Sequence, residues 1–90
     1  MTDVSTDVGT VTVRYFAAAR AAAGAECETV GIGAGATVFD VINTLKVRNT
    51  ALATVLQRCS YLCDGVAVRD AATAIRPGQT LDVLPPYAGG

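Results

Sequence analysis

The 90-residue chain contains no histidine and no tryptophan. Histidine is the commonest general base near neutral pH, so neither a Ser-His nor a Cys-His catalytic pair can form within this sequence. Most hydrolase mechanisms are therefore excluded. A structural zinc site takes four ligands, and without histidine the three cysteines fall short of that number. We therefore expect no bound metal. The cysteines are Cys27, Cys59 and Cys63.

Charge of either sign is sparse and dispersed. The net charge is -1, and the seven basic residues are scattered from Arg14 to Arg76. Nucleic-acid binding is not expected, because it needs clustered basic residues. No apolar run approaches the ~20 residues of a membrane span, so no membrane association is expected either. Residues 1–8 are polar without the basic and apolar regions of a signal peptide, and we interpret them as a flexible leader. Three cysteines in such a chain predict reduced thiols and a cytoplasmic location.

Two other sets of residues are candidates for chemistry, a glycine-containing segment and a group of carboxylates. Gly31, Gly33 and Ala36 have the G-x-G-x-x-[GA] spacing of a nucleotide-binding loop. No acidic residue follows about 20 positions later, as that fold requires, so residues 31–36 are interpreted as a flexible strand-to-helix loop without a cofactor. The second set consists of three carboxylates that could in principle act in acid–base catalysis: Glu26, Glu28 and Asp82. We interpret them as part of a solvated face. No catalytic carboxylate is assigned.

The first half of the chain predicts two strands and a helix. Residues 10–16 and 28–32 have the apolar alternation of half-buried strands, and their short connection favours an antiparallel hairpin. The Ala-rich segment 17–23 is interpreted as a turn of helix or a tight loop closed by Gly24. The clearest helix follows, with Thr37 as its N-cap and Asp40 in its first turn. Its apolar stripe, spaced i, i+3, i+4 and i+7, is Val38, Val41, Ile42 and Leu45.

The second half predicts a short helix over 52–56 and three more strands. Asp64-Gly65 is a strong hairpin signal between residues 61–63 and 66–68, with Cys63 as a small core residue. A turn at residues 76–79 precedes a last strand over 80–84. This order predicts an α+β, β-grasp (ubiquitin-like) fold, with a mixed sheet and one main helix packed across it. We expect one domain over residues 9–84, and an extended tail over 85–90.

The C-terminal tail joins a conformationally restricted Pro-Pro segment to two glycines without side chains. Pro85 and Pro86 favour extended geometry, and six residues counted from Pro85 can span roughly 20 Å. Gly89 and Gly90 lack side chains, so this end can enter a narrow channel and present the carboxyl group of Gly90 without steric hindrance. The alternative is an ordinary frayed terminus.

Two segments resemble the MoaD branch of the MoaD/ThiS sulfur carriers, the small subunits of molybdopterin synthases. The first is residues 77–90, with a Gly-containing turn, an apolar strand, Pro-Pro, two variable residues and Gly-Gly. The second is residues 13–20 with Gly24, which is similar to the family's first strand and its F-A-x-x-R…G segment. The turn Gly78-Gln79-Thr80 departs from the family's frequent Gly-Asp-Glu. Asp64-Gly65 stands where an Asn commonly precedes the hairpin's second strand. The resemblance covers residues 10–90.

The resemblance implies a carrier cycle. An ATP-dependent, ubiquitin-activating-type adenylyltransferase adenylates Gly90, and a sulfur relay (a desulfurase or a rhodanese) converts that residue to a thiocarboxylate. Gly89 and Gly90 then enter a MoaE-like large subunit, where the sulfur builds the molybdopterin dithiolene. The chain itself is expected to be a sulfur-donating subunit without catalytic groups of its own. The residues expected to contact the partner are Leu84, Pro85, Pro86, Tyr87 and Ala88, with Tyr87 as anchor.

Two alternatives keep the same tail. A sulfur carrier for thiazole, cysteine or another thio-metabolite would use the same chemistry in a different pathway. A ubiquitin-like protein modifier would instead form an isopeptide bond through Gly90. Lys46 is the sole lysine, which makes chains built on the protein itself improbable.

Overall fold

The computed structural model of the protein describes residues 7–86. The elements, in chain order, are β1 (Asp7–Tyr15), α1 (Ala17–Ala23), β2 (Cys27–Gly33), α2 (Val38–Arg48), α3 (Thr50–Leu56), β3 (Ser60–Cys63), β4 (Val66–Ala67) and β5 (Thr80–Leu84). The strands form one sheet in the order β2-β1-β5-β3-β4, in which β1 and β5 are parallel and the other pairs antiparallel. The predicted mixed-sheet β-grasp architecture is confirmed.

One face of the sheet and the helices enclose a single core. Every second residue of β1 and β5 points inward, as the alternation predicted, and the predicted stripe of α2 is buried. The fully or nearly fully buried members include Val11, Val13, Tyr15, Val30, Val38, Val41, Leu45, Leu52, Leu56, Ile75, Leu81 and Val83. Burying one such side chain contributes roughly 1.5–3 kcal/mol, so this layer supplies most of the favourable free energy of folding.

Side-chain caps set where α2 and α3 begin. The Thr37 hydroxyl accepts a hydrogen bond from the Asp40 backbone N–H (3.3 Å), while the Asp40 carboxylate accepts one from the Thr37 N–H (2.9 Å). This capping box confirms the predicted N-cap. Asn49 separates the two helices, since its side-chain oxygen accepts from the Leu52 N–H at 3.0 Å and starts α3. Its amide also donates to the Ala22 carbonyl at 3.1 Å, which ties α3 to α1.

The hairpin turn fixes the start of the central strand. Asp64 and Gly65 both have positive φ angles, 48° and 82°, as a two-residue turn between antiparallel strands requires. The Asp64 carboxylate accepts a hydrogen bond from the Thr80 N–H at 2.9 Å. The predicted turn before β5 is also present, with Gly78 at a φ of 90°. The β3–β4 hairpin and the first residue of β5 are therefore held together.

The structure corrects one interpretation and extends two predicted elements. Asp82 is not part of a solvated face, because it is only 6% exposed and is paired with a cation. Asp7 and Val8, assigned to the leader, belong to β1, where Asp7 pairs with Gly33 across a register shift. The rest of the predicted leader, residues 1–6, lies outside the described residues. β2 likewise continues to Gly33, which shortens the loop expected over 31–36.

The described residues contain neither a membrane-spanning helix nor a metal cluster. Between residues 7 and 86, no helix is long and apolar enough to cross a membrane. Over the same range, no three Cys, Asp or Glu side chains come together as metal ligands. Cys63 is partly buried against the core, close to its predicted role as a core residue.

Candidate functional site

The tail leaves the fold from the centre of the sheet. β5 lies between β1 and β3, and its last residue, Leu84, pairs with Ser60. Pro85 has no backbone N–H, so the strand ladder ends where the proline begins. The backbone position of β5 is fixed on both sides, by four register pairs with β1 and four with β3. A rigid central strand therefore carries the residues that follow Leu84.

The two prolines differ in their surroundings. Pro85 is buried and Pro86 is exposed. Both line a groove with Ala18 of α1, Thr54 and Val55 of α3, and Arg58, which follows α3. Pro85 thus packs against the protein's own helices instead of projecting from the body, so the part of the tail that can extend starts at Pro86. The remaining predicted site residues, Tyr87, Ala88, Gly89 and Gly90, lie outside the described residues.

The outer face of the sheet carries partly exposed apolar residues beside the tail. Leu84 is half-buried there, and so are Phe16 and Leu62. Leu62 pairs with Asp82, which in turn pairs with Arg14, so these residues share the face opposite the core. We call Phe16, Leu62 and Leu84 the outer apolar patch. Sequence reasoning identified only Leu84, because the position of Phe16 depends on the pairing of β1 with β5 and that of Leu62 on the pairing of β3 with β5.

An ion pair lies next to this patch. The Arg14 guanidinium binds the Asp82 carboxylate with two hydrogen bonds, Nε to Oδ1 at 2.6 Å and Nη2 to Oδ2 at 2.9 Å. The hydrogen bond to Asp82 and its negative charge raise the pKa of Arg14 above the ordinary value. The guanidinium carbon also lies 5.5 Å from the centre of the Phe16 ring, a cation–π distance. Arg14, fixed by Asp82, therefore places its positive charge directly beside the aromatic ring of Phe16.

The two partly buried thiols are poorly suited to act as nucleophiles. Burial raises the pKa of Cys59 and of Cys63, so both stay protonated near neutral pH, and the thiolate is the reactive form. The Cys59 thiol donates a hydrogen bond to the Val55 carbonyl, with sulfur and oxygen 3.2 Å apart. Neither thiol is part of a catalytic pair.

Comparisons with known proteins identify a family whose members resemble this chain over most of its length. The model of the ThiS family matches residues 13–90, which includes the diglycine. The "molybdopterin synthase sulfur carrier subunit" of Chlamydomonas reinhardtii is 30% identical over 81 residues, covering 89% of this chain and 98% of the relative.

Solved structures share the fold. SAMP1, a small archaeal modifier protein of Haloferax volcanii, superposes with a TM-score of 0.79 at 27% identity, covering 91% of this chain and 100% of that one. A complex of subunits 1 and 2 of the molybdopterin-converting factor from Helicobacter pylori contains a chain with a TM-score of 0.66 at 20% identity, covering 90% and 99%.

Proposed function

The chain belongs to the ThiS family, and from that premise we propose that it is a sulfur carrier whose Gly90 bears the sulfur as a thiocarboxylate. The observation that carries the proposal is the family match over residues 13–90, a range that includes Gly89 and Gly90. The rigid central strand that leads into Pro-Pro supports it, because it presents the following residues from a fixed point.

The chemistry needs a partner enzyme and ATP. The Gly90 carboxylate attacks the α-phosphorus of ATP, which releases pyrophosphate and leaves an acyl adenylate with AMP as a good leaving group. The terminal sulfur of a persulfide then attacks the carbonyl carbon and expels AMP, and a second thiol reduces the resulting acyl disulfide to the thiocarboxylate. Tethering the sulfur in this way keeps it at high effective concentration near the acceptor. The protein contributes a bare acyl end and no acid–base group.

For the acceptor, we propose the large subunit of a molybdopterin synthase. The name of the Chlamydomonas relative, at 30% identity, supports this assignment. The persulfide would come from a desulfurase or rhodanese relay, and adenylation from a ubiquitin-activating-type enzyme. All three cysteines are free, which supports a reducing compartment such as the cytoplasm.

The contact surface would extend from the tail onto the sheet. Leu84 belongs both to the predicted contact set and to the outer apolar patch, so a partner that covers Pro86 and Tyr87 would also meet Phe16 and Leu62. Partly exposed apolar side chains next to a reacting end are typical of a protein interface. Pro85 would act from within the fold, by fixing where the tail starts.

Intact-mass analysis tests the carrier role. Protein purified from cells with an intact sulfur relay should contain a form heavier by the mass difference between sulfur and oxygen, located by fragmentation at Gly90. Deleting Gly90 should abolish sulfur transfer while the circular dichroism spectrum and thermal midpoint stay unchanged. Sulfur transfer by the shortened chain, or a mature chain that continues past Gly90, would contradict the proposal.

A protein modifier is the second candidate, favoured by the similarity to SAMP1 at 27% identity. A modifier would form an isopeptide bond between Gly90 and lysines of other proteins. Chymotrypsin cleaves after Tyr87, so digestion of cell extracts with this protease followed by mass spectrometry would then find Ala-Gly-Gly remnants on lysines of many proteins. Co-purification with a single sulfur-accepting enzyme favours the carrier instead. The identity of that enzyme decides between molybdopterin synthesis and a thiazole or cysteine pathway.

A further inference from the structure

We propose that the groove beside Pro86 binds a surface segment of the sulfur-accepting protein that presents an apolar side chain together with a carboxylate. The lining residues are Ala18, Thr54, Val55, Arg58, Pro85 and Pro86. The inference rests on the proposed function, since it concerns the protein that receives the tail. It adds a contact on the helical side of the molecule, away from the outer apolar patch.

The short chain length between Pro86 and Gly90 brings the surface of the partner close to this groove. Four residues separate Pro86 from the chain end printed in the sequence. Fully extended, four residues reach about 14 Å at 3.3–3.6 Å each. A pocket that encloses Gly90 must therefore bring its own surface close to Pro86. Pro85 and Pro86 form part of the groove wall, so the groove lies directly beside the point that this surface must approach.

The groove combines apolar walls with a single charge. Its volume is about 360 Å³, and four of its six lining residues are alanine, valine or proline. Arg58 is the only charged residue of the lining, and within residues 7–86 no carboxylate forms a salt bridge with it. A partner that covers the groove must bury apolar surface and offer an acceptor to the guanidinium, because a charge desolvated without a partner is costly.

A backbone hydrogen bond anchors the residue that carries this charge. Arg58 follows the last turn of α3, and its N–H donates to the Val55 carbonyl at 3.1 Å. Val55 itself packs against the core. The guanidinium is therefore attached next to the apolar wall, and a partner carboxylate would lie beside the apolar side chain that fills the groove.

Charge reversal tests the ionic half of the contact. Arg58→Glu, measured by calorimetry with the full chain and the purified large subunit, should weaken binding about tenfold at low salt, and the difference should shrink at high salt. Arg76→Glu is the matched control, because it makes the same charge change at the turn before β5, at the opposite end of that strand from the tail. Equal affinities for the two variants would overturn the inference.

Filling the groove tests its apolar half. Ala18→Phe places a ring among the lining residues and should weaken binding at both salt concentrations. Ala21→Phe, at an exposed position of the same helix outside the groove, should leave the affinity unchanged. A large subunit that binds the Ala18→Phe chain as tightly as the Ala21→Phe chain would show that the groove stays empty in the complex.

The two proposals fail in different ways. A wild-type chain that acquires the thiocarboxylate while Arg58→Glu and Arg76→Glu bind equally well contradicts the groove alone. A wild-type chain that acquires no thiocarboxylate and does not bind the large subunit contradicts both.

Discussion

Arg14 and Asp82 face each other across the parallel β1–β5 pair, although they are 68 positions apart in the sequence. Their exposures are unequal, since the Arg14 side chain is 54% exposed and the Asp82 side chain 9%. Asp82 has therefore lost most of its water and depends on Arg14 for compensation. Arg14 could be solvated without its partner.

This asymmetry predicts unequal effects of substitution. Arg14→Met should lower the urea midpoint more than Asp82→Leu does, because it leaves a buried carboxylate unpaired. The double variant should recover most of the loss. Urea unfolding of the three variants measures the coupling directly. If Arg14→Met and Asp82→Leu proved equally destabilising, the buried carboxylate would not depend on the pair.

Two tyrosines, the buried Tyr15 and the partly buried Tyr61, predict a loss of stability in alkali. Burial raises the pKa of Tyr15 and of Tyr61 above the ordinary value, and the Tyr15 hydroxyl donates to the Glu28 carboxylate at 2.8 Å. The folded state thus retains protons that the unfolded state releases above about pH 10. The stability that these groups contribute is fully present below that pH and declines as the pH rises towards their folded pKa.

Urea unfolding between neutral pH and about pH 11 checks this dependence. Tyr15→Phe removes the phenol and should flatten the alkaline decline in the free energy of unfolding. A wild-type curve as flat as that of the variant would contradict the assignment.

The capping box predicts a defined loss of stability. Thr37→Ala removes the acceptor for the Asp40 N–H and should cost about 1 kcal/mol in the free energy of unfolding. Thr54→Ala is the control, because the Thr54 hydroxyl bonds the Thr50 carbonyl inside α3 and alanine is the better helix former. Chemical denaturation should find the control unchanged or slightly more stable; equal losses in both would show that the cap contributes little.

Local patterns were sufficient to predict the elements. The alternation around Val13 predicted β1, and the spacing of Val38 to Leu45 predicted α2, because each reflects one face of a single element. The Asp64-Gly65 hairpin followed from backbone angles that few residues adopt.

Features that depend on distant strands were not predicted. The burial of Asp82 and the outer apolar patch require the pairing of β5 with both β1 and β3, which no local pattern encodes. Pro85 was predicted to be the first residue of the extended tail, because proline favours extended geometry. Its burial depends on α1 and α3, which pack beside the end of β5.

If the outer apolar patch contacts the large subunit, a charged side chain introduced there should weaken binding. Leu62→Glu should weaken binding of the large subunit by about tenfold or more, since it puts a charge into a desolvated contact. Val66→Glu, at a 69% exposed position of the neighbouring strand, makes the same type of change outside the patch and should bind normally. Normal binding by Leu62→Glu would exclude this face from the interface.

Tyr87 is expected to anchor the tail in the partner. Aromatic residues at the centre of an interface often contribute 2 kcal/mol or more, so Tyr87→Ala should raise the Kd of the large subunit by about thirtyfold. Tyr87→Phe keeps the ring and should retain most of the affinity, which separates packing from hydrogen bonding by the hydroxyl. Adenylation of Gly90 by the activating enzyme serves as a second readout, because a chain that is still adenylated has an intact tail. Unchanged affinity of Tyr87→Ala would transfer the anchor role to the outer apolar patch.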